Sequence, residues 1–167
     1  MRRCENNHTQ VKQTMPLEIR QAQTSDLDAM LKMAHDNIDT NYRRFLGDSG
    51  VNQFIDSGII DQYLSHSLSR CTIARQDGDL VGFAVLDEDL IELIMIAHRL
   101  HRGGIGAKLL QHCEQEMFGE YDKIRLESFE GAAKANQFYT KHGWTPLERE
   151  PDPDSGINKF VLIKHRP

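Results

Sequence analysis

The sequence predicts an α+β domain, an α/β three-layer arrangement around a mixed β-sheet. Segments with a hydrophobic period of two alternate with segments of helical period along a chain of 167 residues. Tight acidic turns join consecutive strands in the middle of the chain, which is typical of antiparallel neighbours. A strand–helix–strand unit follows, and its crossover connection places two strands parallel to each other. The sheet must therefore contain both kinds of pairing.

Length and composition indicate one globular domain. Two domains in 167 residues would each fall below the usual size, and the chain has 39% hydrophobic and 27% charged residues. A net charge of −5 at pH 7 argues against a nucleic-acid partner, because dedicated nucleic-acid binders carry a basic face. The cysteines Cys4, Cys71 and Cys113 form no CxxC pair and predict free thiols in a reducing compartment. Neither an apolar run of roughly 18 residues nor a secretory signal is present, so we expect a cytoplasmic protein without a membrane partner.

The N-terminal half begins with a polar, aperiodic segment that predicts a flexible arm over 1–16, followed by the domain over 17–167. Alternating apolar residues then predict a strand, and a change to helical spacing after the capping-box residues Ser25 and Asp28 predicts a helix. A mixed polar and aromatic segment predicts a loop over 41–50 before a second helix. The predicted elements of this half are a strand, two helices and three strands over 17–22, 25–38, 51–68, 71–76, 80–86 and 90–97.

The three consecutive strands are separated by two turn signals. Asp77-Gly78 is a hairpin sequence because its residues tolerate positive φ, and the acidic segment 87–89 is a second tight turn. The strand over 90–97 is almost continuously apolar, as expected for a strand covered on both faces. A helix, a strand, a helix ending at Gly143 and two strands complete the chain. They are predicted over 104–118, 123–129, 132–142, 144–150 and 158–165.

The most informative segment joins the fourth strand to the helix that follows it. Gly103, Gly104 and Gly106 remove side chains where the backbone approaches a ligand, and the free amides of a first helical turn attract anions. His101 and Arg102 add positive charge at the same place. The turn therefore predicts a phosphate or pyrophosphate site, with a ligand-free connector as the alternative. A Rossmann fingerprint and a P-loop are excluded, because the last glycine of the former and the GK[ST] ending of the latter are absent.

This turn resembles the acyl-CoA motif of the GNAT superfamily of acyl-CoA-dependent N-acyltransferases. The motif is [Q/R]xxGx[G/A] after the fourth strand, and the segment 101–106 matches it except that His101 replaces Gln or Arg. The pair Phe138-Tyr139 followed by Gly143-Trp144 is similar to the ending of the family's last helix, although Ala132 stands where an Asn is common. The opening EIRQAQTSDLDAM also looks like the family's first strand and helix, so the resemblance covers roughly residues 17–165.

The resemblance implies a mostly antiparallel, GNAT-like sheet of about seven strands with helices on both faces, and transfer of an acetyl group from acetyl-CoA to a primary amine by direct attack. It implies that Tyr139 gives a proton to the departing thiolate, since a phenol of pKa about 10 can act as a general acid. A core tyrosine with a hydrogen-bonded hydroxyl is the alternative. The resemblance also implies that Met95 and Ile96 act through their backbone amides as donors to the oxyanion. The implied acetyl-CoA contacts are Met95, Ile96, His101, Arg102, Gly103, Gly104, Ile105, Gly106 and Ala107.

Glu92 is the candidate general base. It interrupts the apolar fourth strand and shares a face with Ile94 and Ile96 by the period of two. A carboxylate there is costly unless it is paired, solvated or functional. The alternatives are that Glu92 faces water at the exposed start of the strand, or that the acidic turn 87–89 attracts the amine instead.

The acceptor, a small-molecule or peptide amine, is expected between the segment 42–45 and the turn 149–156. Acidic residues near this turn favour a cationic amine such as a polyamine or lysine, although a solvated edge explains them equally well. They are Glu148, Glu150, Asp152 and Asp154. No metal is expected, because His98 and His101 have no third ligand nearby. A non-catalytic acyl-CoA-binding regulatory module and a protein-modifying acetyltransferase stay open as alternatives, and a homodimer is common in the family.

Overall fold

The computed structural model describes residues 15–101, 103–153 and 155–167, and within them lie seven strands and five α-helices. The strands are β1 (Glu18–Gln21), β2 (Cys71–Gln76), β3 (Asp79–Asp87), β4 (Leu90–Ile96), β5 (Lys123–Phe129), β6 (Thr145–Pro151) and β7 (Asn158–His165). The helices are α1 (Leu27–Asn41), α2 (Arg43–Asp56), α3 (Ile59–Ser67), α4 (Ile105–Met117) and α5 (Ala133–Lys141). A short 3₁₀ helix over His98–Leu100 separates β4 from α4.

The strands form one sheet in the order β1-β2-β3-β4-β5-β7-β6. All neighbours are antiparallel except β4 and β5, which confirms the predicted mixed, mostly antiparallel sheet. The β4–β5 contact is short, with the pairs Leu90↔Arg125 and Ile91↔Leu126. Beside these pairs the carboxylate of Asp89 accepts two hydrogen bonds from the Arg125 guanidinium, at 2.9 and 2.7 Å. A bidentate ion pair therefore reinforces a joint that has few backbone bonds.

Helices cover both faces of the sheet, as predicted, and create two hydrophobic cores. The α4–α5 core includes Leu109, Trp144 and Ala84, whereas the α1–α3 core includes Met30 and Phe83. The neighbours Phe83 and Ala84 thus enter different cores, because successive side chains of a strand point to opposite faces. Burial on both sides explains why β3 and β4 are apolar almost throughout.

Two predictions are wrong in the segment between α1 and β2. Residues 41–50, expected to form a loop, supply most of the first part of α2, which is bent at Gly47 (φ 71°, ψ 168°). The single helix expected over 51–68 is divided at Gly58, whose φ of 67° lies in the left-handed region. Hydrophobic periodicity indicates which side chains share a face but not where a glycine changes the direction of the backbone. The pattern therefore predicted one helix where the structure has two.

The N-terminal part of the predicted arm, residues 1–14, lies outside the described residues, and so does Cys4. Met15 is bound to the β2–β3 hairpin: its N–H donates to Asp77 Oδ1 at 2.7 Å, and its carbonyl accepts from Gln76 at 3.3 Å. Cys71 and Cys113 are buried free thiols. Across the described part of the chain, no helix has the length and apolar content needed to span a membrane.

A buried carboxylate ties β1 to the start of α1. Asp26 is 1% exposed and accepts hydrogen bonds from the Arg20 guanidinium at 2.8 and 3.2 Å and from the N–H of Gln23 at 2.8 Å. The hydrogen bond from Arg20 is the largest cause that lowers the pKa of Asp26, and burial opposes it. The carboxylate is therefore charged and fully paired in the folded protein.

We predict that Asp26→Asn lowers the free energy of unfolding by about 2 kcal/mol at pH 7, because the buried carboxylate loses its charge-assisted hydrogen bonds from Arg20 and Gln23. The folded pKa of Asp26 is lowered, so its stabilisation is present above the ordinary value near 3.9 and is lost as the pH falls through the folded pKa. Urea unfolding between pH 7 and pH 2 measures the effect and its decline. The exposed Asp28→Asn is the matched control, and a loss no larger than that of Asp28→Asn contradicts the prediction.

Candidate active site

β4 and β5 separate after their two paired residues and leave a gap within the sheet. β5 remains paired with β7 over its full length, so the break affects only its β4 side. On the other edge of β4, the N–H of Ala97 donates to the carbonyl of Val81 at 3.0 Å. Because successive amides of a strand point to opposite edges, the amide of Ile96 faces the gap and that of Met95 faces β3. Of the two implied backbone donors, Ile96 is the one on the gap.

The glycine turn opens α4 beside this gap. Gly104 has a φ of 79°, and a Cβ at this position would meet no atom of the other described residues within 4 Å, its two chain neighbours aside. Gly106 packs on the end of β4, where a Cβ would lie 3.5 Å from Ile96 Cγ1 and 3.6 Å from Phe138 Cζ. Among the described residues no side chain caps the helix, and the amides of 105–107 find no backbone acceptor in the preceding turn. Free amides with open space in front of them are what an anion site requires.

His101 binds the gap edge of β4. Its Nε2 lies 3.0 Å from the carbonyl oxygen of Ile96, and its ring centroid lies 5.0 Å from that of His98. A carbonyl oxygen only accepts, so this bond requires a proton on Nε2. Arg102, the other basic residue of the turn, lies outside the described residues. The His, Cys, Asp and Glu side chains of the described ranges form no cluster that could hold a metal ion.

Tyr139 lies in α5 and is 7% exposed within the α4–α5 core. Burial is the main cause that raises the pKa of its phenol well above the ordinary value, and Tyr42 is the second. The hydroxyl has no hydrogen-bond partner in the described part of the chain, and it is not completely buried. This differs from a core tyrosine with a satisfied hydroxyl. The phenol is protonated at neutral pH and free to donate.

Glu92 occupies a bulge in β4. The register between β3 and β4 shifts between Val85 and Leu86, and Glu92 is the residue of β4 that has no opposite residue in β3. Its carboxylate lies on the side of α3, whereas Ile94 and Ile96 pack against the α4–α5 core. The predicted shared face is therefore wrong, because a bulge inserts one residue and interrupts the alternation of side chains.

Two residues that the sequence did not single out hold the Glu92 carboxylate. Tyr63 donates its hydroxyl to Oε2 at 2.9 Å, and Arg70 donates to the same oxygen at 3.0 Å. Arg70 also pairs with Asp87 at 2.9 Å. These partners stand 29 and 22 positions from Glu92 in the chain, and no local pattern connects them. The side chain of Glu92 is thus paired and only 26% exposed, which excludes the alternative of a carboxylate that simply faces water.

Three aromatic rings bring the predicted acceptor segment 42–45 to the end of β5. The ring centroids of Tyr42 and Phe45 are 5.1 Å apart, and they lie 5.8 and 5.4 Å from that of Phe129. A Cβ at Gly131 would lie 2.5 Å from Phe45 Cβ, so only glycine permits this close approach. The junction of α1 and α2 therefore lies against the turn between β5 and α5.

Two of the four acidic residues near the second predicted acceptor segment, Glu150 and Asp152, are engaged within the protein. Glu150 pairs with Lys159 at 3.6 Å, and Asp152 accepts hydrogen bonds from Ser155. Glu148 is exposed, and Asp154 lies outside the described residues. Less negative charge is free to attract a cation than the sequence indicates.

A mixed seven-stranded sheet with a break beside an uncapped glycine turn defines the class of acyltransferases that the sequence resembles. The chain belongs to the acetyltransferase (GNAT) domain family, whose pattern matches residues 42–160. Membership of this family makes the protein an acyltransferase. No curated protein sequence matches the chain.

Solved structures share the fold. The PaiA N-acetyltransferase from Thermoplasma acidophilum, in complex with coenzyme A, has a TM-score of 0.76 at 19% identity, over 91% of this chain and 100% of that chain. A GCN5-related N-acetyltransferase from Rhodopseudomonas palustris has a TM-score of 0.79 at 16% identity, over 92% and 98% of the two chains. The ribosomal-protein-S18-alanine N-acetyltransferase from Escherichia coli has a TM-score of 0.61 at 18% identity, over 89% and 92%. At these identities the similarity shows the fold and not the acceptor.

Proposed function

We propose that this enzyme transfers an acetyl group from acetyl-CoA to the primary amine of a small molecule or peptide, by direct attack within a ternary complex. One observation carries the proposal: the β4–β5 gap opens beside the free amides of the glycine turn. Acetyl-CoA bound in this gap would have its diphosphate at the N-terminus of α4 and its acyl group between β4 and β5. The similarity to a solved acetyltransferase in complex with coenzyme A supports this choice of acyl donor.

The turn residues divide the binding of acetyl-CoA between backbone and side chains. The amides of Ile105, Gly106 and Ala107 would hold the diphosphate, and the open space at Gly104 would admit it. Arg102 would add positive charge, and the His101 ring, fixed by its bond to Ile96, would line the same turn. The amide of Ile96 would pair with the pantetheine arm along the free edge of β4, whereas the amide of Met95 faces β3 and would make no contact there.

Tyr139 would supply the proton that the thiolate needs when the carbon–sulfur bond breaks. Its hydroxyl has no partner among the described residues, and its raised pKa keeps the proton in place at the pH where amines react. The Tyr139 hydroxyl would then donate to the negative charge that develops on the sulfur of the departing thiolate. No covalent enzyme intermediate is needed.

Glu92 would remove the proton of the incoming ammonium group. Tyr63 and Arg70 both bind Oε2, and Oε1 has no partner within the described protein. One oxygen therefore positions the carboxylate, while the other remains able to accept a proton. The amine would reach Glu92 past the aromatic segment 42–45.

We predict that Gly104→Asp weakens the binding of coenzyme A at least tenfold, because a carboxylate would lie against the diphosphate at the helix N-terminus. Isothermal calorimetry measures the dissociation constant. Gly78→Asp is the matched control, since Gly78 has a φ of 86° and open space but lies in the remote β2–β3 hairpin. Equal affinity of Gly104→Asp and Gly78→Asp for coenzyme A contradicts the proposed diphosphate site.

Tyr139→Phe should lower kcat about 100-fold with little change in the affinity for coenzyme A, because it removes only the proton donor. The assay follows thiol release from acetyl-CoA with a panel of primary amines. If the wild type binds coenzyme A but releases no thiol with any amine, a non-catalytic acyl-CoA-binding module is favoured instead. If Tyr139→Phe retains the wild-type kcat, Tyr139 is not the acid.

Glu92→Gln should lower kcat/KM at pH 7 by about 100-fold, and the deficit should shrink toward pH 10, where amines with a pKa near 10.4 lose their proton to solvent. Initial rates between pH 7 and pH 10 measure this change. The melting temperature is measured in parallel, because the variant also alters the ion pair with Arg70. A deficit that is constant across this pH range argues against Glu92 as the base.

A further inference from the structure

We infer that Asp87 and Arg70 are positioning residues that together set how readily Glu92 takes a proton from the acceptor. The inference rests on the proposed function, which makes Glu92 the general base but leaves open what keeps its carboxylate able to accept a proton. Arg70 ends the short 3₁₀ helix Leu68–Arg70 before β2, and Asp87 ends β3. Both residues act through Glu92 and not by contact with the substrate.

One nitrogen of the Arg70 guanidinium serves two carboxylates. Nη1 lies 2.9 Å from Asp87 Oδ1 and 3.0 Å from Glu92 Oε2. The other terminal nitrogen, Nη2, donates to the hydroxyl of Ser67 at 3.0 Å, so the guanidinium is held in one orientation. Its single positive charge faces two negative charges. Glu92 therefore receives only part of the attraction that an exclusive ion pair would give.

The other two groups that contact or adjoin Glu92 on this side of the sheet are neutral. Tyr63, in α3, donates to Oε2 at 2.9 Å, and burial and then this hydrogen bond raise the pKa of its phenol. Cys71, the first residue of β2, is a buried thiol, and burial raises its pKa to about 11. Both groups keep their protons at neutral pH. The residues that α1 buries against the sheet, among them Met30 and Met33, carry no ionisable side chain.

The charged side chains of β5, the strand next to β4, are paired within the protein. Leu126 enters the α4–α5 core, so by alternation Arg125 and Glu127 lie on the same side as Glu92. Arg125 pairs with Asp89 at 2.7 Å, and Glu127 pairs with Lys159 at 2.8 Å. Each pair has no net charge. The unbalanced charge beside Glu92 is therefore that of Asp87 and Arg70.

Asp87 makes it easier to protonate Glu92. If Arg70 were paired with Glu92 alone, protonation of that carboxylate would leave a partly buried guanidinium without a negative partner, which is unfavourable. With Asp87 present, the Arg70–Asp87 ion pair remains after Glu92 has taken the proton. A negative neighbour favours the protonated form of a carboxyl group, and a positive neighbour disfavours it. Asp87 and Arg70 thus act on Glu92 in opposite senses.

The proton transfer is balanced. One nitrogen–hydrogen bond of the acceptor ammonium breaks with its electron pair on nitrogen, and the proton bonds to Glu92 Oε1. The neutral amine then attacks the acyl carbon. Oε2 keeps its hydrogen bonds from Tyr63 and Arg70, so the carboxyl group does not turn when it is protonated. Glu92 afterwards returns the proton to solvent water, which restores the starting charges.

Two substitutions with opposite expected effects test this inference. The fall of kcat/KM on the acid side of its pH profile reports protonation of the base in the free enzyme. Asp87→Asn should move this acid limb to lower pH, and Arg70→Gln should move it to higher pH, each by about half a pH unit. Arg70→Lys keeps the charge and should return the limb to its wild-type position. The ionisation of the amine is the same for every variant, so differences between variants arise in the enzyme.

Glu88→Gln is the matched control, because Glu88 is an exposed carboxylate next to Asp87 in the same hairpin. Its acid limb should coincide with that of the wild type. The side chain of Asp87 is 51% exposed, so Asp87→Asn should leave the melting temperature and the dissociation constant for coenzyme A unchanged. A purely structural role of the network does not move the limb in opposite directions.

The results that overturn the inference differ from those that overturn the proposed function. Limbs that move in the same direction in Asp87→Asn and Arg70→Gln, or that do not move, contradict the inference alone. An equal shift in Glu88→Gln and Asp87→Asn also contradicts it, because any surface charge would then have the same effect. An acid limb that persists unchanged in Glu92→Gln shows that Glu92 is not the base and removes the inference with it. A wild type that releases no thiol with any amine overturns the proposed function before any variant is compared.

Discussion

The break between β4 and β5 is the constraint on which the rest of this structure depends. A strand inside a sheet normally satisfies its backbone groups on both edges, and an unpaired buried amide or carbonyl costs free energy. The backbone groups of β4 pair with β3 along one edge, and on the other edge His101 donates a hydrogen bond to the carbonyl oxygen of Ile96. The two halves of the sheet stay together through two residue pairs and the Asp89–Arg125 ion pair. Beyond Ile91 this edge of β4 is not paired with β5, and the space between the two strands can hold a substrate.

Helix α4 keeps its N-terminus beside the break because it is attached to both halves of the sheet. Its first turn follows β4, where Gly106 packs on Ile96. Near its other end, the buried carboxylate of Glu114 accepts hydrogen bonds from Trp144 at 2.8 Å and from Lys164, in β7, at 2.7 Å. Breaking such a buried pair is costly, so the helix cannot shift without losing these bonds. The anion site is therefore held in place by contacts far from it.

Most of the fold was predictable because its signals are local. The seven strands, the mixed sheet and the helices α1, α4 and α5 follow from hydrophobic period and turn residues. Helix boundaries failed at Gly47 and Gly58, since the side-chain pattern continues there while the backbone changes direction. The glycine turn was recognisable for the same local reason, because the missing side chains and the left-handed φ of Gly104 belong to the residues themselves.

The sequence by itself determined the order of elements, the donor-lined turn at the start of α4 and, through its resemblance, the candidate acid Tyr139. Only the tertiary structure decided that Glu92 turns toward Tyr63 and Arg70, because one bulge reverses the face that alternation assigns. It alone brought Tyr42 against Phe129 at the end of β5, because these two residues lie far apart in the chain. Register, bulges and breaks arise from contacts between distant parts of the chain, and no local pattern of residues encodes them.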